Sequence, residues 1–199
     1  IYTLSLHDAL PIYMMLGINR DIFESLKFHI KDVNASTLLS IPLKRICNSP
    51  FVVVCIGTDR CIGDSLGPLV GYNLKNLDIR YPVFGTINEP IHAMNLEEKL
   101  ELLKANYPDH SIIAVDASLG NKKSVGTIQF REGPIYPGKG VGKKLPPIGD
   151  YSLIGVVDTM DKFNNSNIHQ VRLSFIMEMA DVMTDCLYKA THSALYARN

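Results

Sequence analysis

The stretch "FVVVCIGTDRCIGDSLGP", residues 51–68, decides the fold. Phe51 to Ile56 is an unbroken apolar run with three valines, the length and composition of a strand buried on both faces. A loop follows that carries Asp59 and Asp64, Cys61, Ser65 and the glycines 57, 63 and 67. Pro68 then suits the first turn of a helix, placed over 67–77, because a first-turn N–H has no intrahelical partner to lose. A strand emptying through a polar loop into a helix is where open α/β sheets place their chemistry. Asp64 stands at that junction.

The pattern repeats along the chain. Strands are expected at "YPVFGTI" (81–87), at "SIIAVDA" (111–117) ending at Asp116, at "VGTIQF" (125–130) and at "YSLIGVV" (151–157). Helices are expected over 36–47 in spite of Pro42, over 95–106, and over 168–190 with Leu173, Ile176, Ala180, Met183 and Leu187 on one face. Asn95 with Glu98 three residues later has the form of a capping box. Ile22, Phe23, Leu26 and Ile30 recur at helical spacing, which predicts a further helix over 19–31. Strand–helix–strand alternation calls for right-handed crossovers and a mostly parallel five-stranded sheet in three α/β/α layers. The strand at 125–130 follows its predecessor without a helix and is expected to pair antiparallel.

Bulk composition narrows the function. At 199 residues with 46 % apolar and 20 % charged side chains, the chain can build one well-buried domain. Twenty basic and twenty acidic residues cancel, so no global basic field favours nucleic acid, and direct nucleic-acid binding is not expected. No apolar run reaches bilayer length, so no membrane partner is expected. Cys47, Cys55, Cys61 and Cys186 form no C-x-x-C pair and read as reduced thiols of a cytoplasmic protein, not as a zinc site. The opening "IYTLSLHDALPI" has no basic region and is broken by His7 and Asp8, unlike a signal peptide. It resembles translated sequencing adapter. Residues 1–13 are expected to be a non-native, adapter-derived or disordered extension, the alternative being a genuine amino-terminal extension, with a natural start near Met14 or Met15 and one α/β peptidase-like domain over 14–199.

Candidate chemistry centres on Asp64 and Asp116. If the strands they follow are neighbours at the switch point, the two carboxyls converge, because adjacent strands lie about 4.8 Å apart. Like charges that close do not both ionise, so the pair titrates as a unit. One protonated and one ionised carboxyl can polarise a carbonyl and activate water, the chemistry of amide hydrolysis. A competing reading takes Gly63–Gly67 as G-x-S-x-G, and "GDSL" as the signature of hydrolases with a serine nucleophile, making Ser65 an esterase nucleophile. Those enzymes carry D-x-x-H near the C-terminus, and no Asp here has His three residues on. Glu89 and His92, after the second strand, are candidate substrate contacts. "GKGVGKK" at 138–144 lacks phosphate-loop spacing, and Gly138, Gly140 and Gly142 read as a loop lying close to substrate.

The segments "GTDRCIGDSLGP", "NEPIHAMNLEEKL", "IIAVDASLG" and "SVGTIQFREGPIYPGKGVGKKLPPIGD" together resemble the YyaC family of sporulation proteins. More distantly they are similar to the germination protease, whose paired aspartates in "DALGP"-type and "DAL"-type segments match Asp64 and Asp116. The resemblance implies a sporulation-associated peptidase. It implies a protein or peptide substrate such as small acid-soluble spore proteins, and a cytoplasmic setting in the sporulating cell or spore. A third similarity, to hydrogenase maturation endopeptidases, implies their three-layer fold. It also implies nickel recognition by acids at the two aspartate positions plus a histidine before the last strand. Residues 133–150 hold no His, so that nickel set is incomplete unless His92 supplies it. The metal-free reading needs no cofactor and leaves a divalent metal at Asp64 and Asp116 open. The alternative function is a non-catalytic sporulation protein that uses the same fold to bind a partner.

Overall fold

A computed structural model describes residues 25–77, 79–137, 145–159 and 171–196. The chain runs β1 (Ser25–His29), α1 (Ala35–Ile46), β2 (Phe51–Cys55), a 3-10 turn (Gly63–Ser65) and α2 (Leu66–Lys75). It continues through β3 (Val83–Phe84), α3 (Leu96–Asn106), β4 (Ser111–Gly120), β5 (Thr127–Glu132), β6 (Tyr151–Thr159) and α4 (Leu173–Tyr196). Six strands form one sheet in the order β1-β5-β6-β4-β2-β3.

β2 pairs parallel with both β3 and β4, and β4 pairs parallel with β6. β5 runs antiparallel to both of its neighbours, as its helix-free connection predicts. From β2 the chain crosses through α2 to β3 on one side, then through α3 to β4 on the other. The direction of growth reverses at β2, so right-handed crossovers put α2 and α3 on opposite faces. The core is split accordingly. Val53, Cys55, Ile113, Val115 and Leu153 face α1, α2 and α4, whereas Val52, Val54, Ala114 and Ile154 face α3. The expected three α/β/α layers are present, with the sheet in the middle.

Four expectations are corrected. The sheet has six strands, because Ser25–His29 is a strand and not part of a helix. Leu26, Phe28 and Ile30 also alternate at period two, and an open β5 edge offers five paired positions that an isolated helix cannot match. β4 does not end at Asp116 but runs on to Gly120, because β6 is long enough to pair with it throughout. Asn95 stands at the start of α3, yet its side chain makes no capping bond to the helix. Leu173 is 50 % exposed, while Ile176, Ala180, Met183 and Leu187 are buried as expected. The part of the predicted first helix before residue 25, the extension at 1–13 and the loop at 138–144 lie outside the described residues. Pro42 is accommodated inside α1.

Candidate functional site

The site is assembled around the two residues that follow β2. The Ile56 amide donates to the carbonyl of Val115, at 2.8 Å, and so fixes the residue just before Asp116. The Gly57 amide donates to the carbonyl of Ile91, also at 2.8 Å, and so fixes the residue just before His92. Gly57 has φ +136°, and a Cβ there would lie 2.0 Å from the backbone oxygen of Asp64. Only glycine lets the Asp64 turn close on the strand end at this distance. Gly67 acts similarly one turn on, since a Cβ would meet the Ile56 carbonyl oxygen at 2.1 Å. Asp64 is tied further by its own amide to the Cys61 carbonyl and by its carbonyl to the Thr58 amide, each at 3.0 Å. Asp64, Asp116 and His92 are thereby gathered where β2 ends beside the middle of β4, at the switch point of the sheet.

Electrostatics couple the three. Burial pushes the Asp64 carboxyl up to about 6, against an opposing hydrogen bond from the Thr58 backbone and the attraction of His92. Asp116 is raised well above the ordinary carboxylate range, first by desolvation and then by the negative charge of Asp64. A single main-chain amide, that of Ala117, donates to Asp116 Oδ1 at 2.8 Å and offsets part of this. Asp116 lies on the α3 side of the sheet, the side of Ala114, and in register with Ile154. Part of the residue's surface is open, while its carboxyl is desolvated.

Not every sequence candidate joins the group. Glu89 is exposed; its backbone closes a turn with Thr86. Ser65 is buried and its Oγ donates to the Ile62 carbonyl at 2.7 Å, so the hydroxyl is spent on the turn and is not poised as a nucleophile. Gly138, Gly140 and Gly142 lie outside the described residues. Among the described residues, no three His, Cys, Asp or Glu side chains form a group able to hold a metal ion. The cysteines are all free, and burial pushes the Cys47 thiol up to about 12. No helix of the described residues is long and apolar enough to cross a membrane. A cavity of about 210 Å³ opens at the opposite edge of the sheet, lined by Arg45, Ser111, Glu132 and Tyr151 among others, far along the strands from the acid pair.

The family model described as "Protein of unknown function (DUF1256)" matches residues 25–186. The chain belongs to the DUF1256 family. A similar curated relative is "Uncharacterized protein YyaC" of Bacillus subtilis (strain 168), 43 % identical over 152 residues, covering 76 % of this chain and 74 % of the relative. This match agrees with the resemblance carried by the quoted segments. Among solved structures, a [NiFe] hydrogenase maturation protease, HycI from Thermococcus kodakarensis KOD1, is similar at 17 % identity and a TM-score of 0.47. That likeness spans 79 % of this chain and 99 % of HycI. The DUF1256 match spans all six strands and both aspartates.

Sequence reasoning missed the part played by Asn95. The i, i+3 spacing of His92 and Asn95 was visible, but the Asn–Glu capping pattern drew the side chain toward the helix instead.

Proposed function

We propose that this chain is a sporulation-associated peptidase whose water is activated by Asp64 and Asp116 acting as one acid–base unit. The observation that carries the reading is the pair itself: two carboxyls brought together where β2 ends, Asp116 raised first by burial and then by the charge of Asp64. A pair in which Asp64 titrates near pH 6 and Asp116 is raised by burial and by the charge of Asp64 favours holding one proton between the two carboxyls. The ionised carboxyl takes a proton from water, and the protonated one polarises the scissile carbonyl. His92, attractive toward Asp64, favours charge on that member. The loop at 138–142 and the Glu89 turn are the segments proposed to meet substrate. Small acid-soluble spore proteins, met in the cytoplasm of the sporulating cell or spore, are the substrates the family resemblance favours.

The test is incubation of the purified chain with spore small proteins, with and without chelator, read by mass spectrometry. Cleavage that survives chelator and falls by at least about 10²-fold in both Asp64→Asn and Asp116→Asn is the expected result. The two losses should not add, because the residues act as a unit. No cleavage by the folded wild type favours the non-catalytic, partner-binding reading. Cleavage retained in a folded Asp64→Asn chain overturns the paired-acid reading.

A further inference from the structure

The turn that carries His92 is held by more bonds than a connecting loop needs. Asn95 Oδ1 accepts the His92 amide at 2.9 Å, and Asn95 Nδ2 donates to the Pro90 carbonyl at 3.0 Å. The His92 carbonyl accepts both the Asn95 and Leu96 amides at 3.0 Å. Within this clasp the Met94 amide donates to His92 Nδ1 at 3.2 Å. The clasp is anchored to β2 through the Gly57 amide on Ile91. An Asn whose task was to cap α3 would turn its oxygen forward to the first-turn amides. This one turns backward, and Glu97 and Glu98 supply the charge that favours the helix start.

A ring nitrogen that accepts an N–H bond has no proton of its own, so the other nitrogen bears it in the neutral ring. We propose that Asn95 is a positioning residue: by clasping residues 90–95 it keeps His92 in the Nε2–H form, a fixed hydrogen-bond donor at the acid pair. The role for that donor rests on Asp64 and Asp116 being the reactive pair, but the clasp can be tested without turnover. In this form His92 serves the site as a donor. The opposite tautomer would present a lone pair beside a carboxylate and repel it.

The experiment is long-range proton–nitrogen correlation on histidine-labelled protein, at a pH where the ring is neutral. The wild type should show His92 protonated on Nε2 alone. Asn95→Ala should shift both ring nitrogens toward the averaged positions of a mixed tautomer. Asn95→Asp, which keeps the oxygen that accepts the His92 amide, should restore most of the wild-type pattern. A wild-type His92 protonated on Nδ1 overturns the proposal, and the wild-type spectrum alone decides this if Asn95→Ala does not fold. An Asn95→Ala spectrum identical to wild type overturns it too. An Asn95-dependent tautomer in a chain that cleaves nothing supports the positioning and overturns only the peptidase reading.

Discussion

Two aspartates meet β4, Asp150 beside its start and Asp116 in its middle, and they have opposite lives. Asp150, exposed just before β6, uses Oδ2 to accept the Ile112 amide at 2.8 Å, while its own amide donates to the Ile112 carbonyl at 2.9 Å. It straps the start of β4 to the start of β6 with its charge in water. Asp116, on β4 four residues beyond Ile112, is desolvated and meets the charge of a second carboxyl. The same side chain is a structural strap where it reaches the start of β4 from outside and a desolvated acid where it stands within β4. What differs is the access of water and the company of another charge, the two terms that set a carboxyl's proton affinity. A strap stabilises the fold. A desolvated carboxyl costs stability, and is the kind of group found where protons are moved.

The contrast makes opposite demands on stability. Asp116 has a raised proton affinity in the folded chain, so between the ordinary carboxylate range and its raised value the folded chain keeps a proton that the unfolded chain has lost. Stability therefore falls as pH rises through that window, and the same holds for Asp64 from its ordinary value of 3.8 to about 6. Asp116→Asn removes the penalty and should melt at least as high as wild type at pH 7, with the gain shrinking toward pH 4. Asp150→Ala should do the reverse and lose about 1–2 kcal/mol at pH 7, since a charged acceptor leaves the Ile112 amide. Chemical denaturation of both variants at the two pH values checks this. A destabilised, folded Asp116→Asn would make Asp116 a strap like Asp150 and break the comparison.

The smallest effect is expected at Ser65. Its hydroxyl bonds only a turn carbonyl, and Ile62 is exposed enough for water to take the place of that bond. Ser65→Ala should cost about 0.5 kcal/mol, the low end for a single hydrogen bond, with peptide cleavage unchanged. A cleavage assay beside thermal melts checks it. Loss of turnover in this variant would return the serine reading to contention.

Much of this was readable from residues. Valine-rich runs of strand length announced the parallel sheet, and Pro68 marked the start of α2. That β2 and β4 are neighbours, which brings Asp64 and Asp116 near each other, followed from the topology, although β4 runs past Asp116. The misreadings share one cause. Leu26, Phe28 and Ile30 fit either period, and only the partner β5 decides between them. Asn95 had two sets of backbone groups within reach, and a linear pattern does not say which set it bonds. Glu89 and His92 sit three residues apart in one loop, yet one is exposed and the other is half-buried within electrostatic reach of Asp64. That sorting comes from the Gly57–Ile91 bond, which links positions 34 residues apart in sequence.

The central claim is that Asp64 and Asp116 bind protons as a coupled pair. Carbon-13 titration of their side-chain carboxyls, in wild type and in Asp64→Asn, tests it most directly. The account predicts that one carboxyl of the wild-type pair titrates near pH 6 and that Asp116 keeps its proton well above the ordinary carboxylate range. It further predicts that Asp64→Asn lowers the midpoint of Asp116, because a repelling charge has gone. Two independent carboxyls that both ionise near the ordinary value of about 4, with Asp116 indifferent to residue 64, would contradict it.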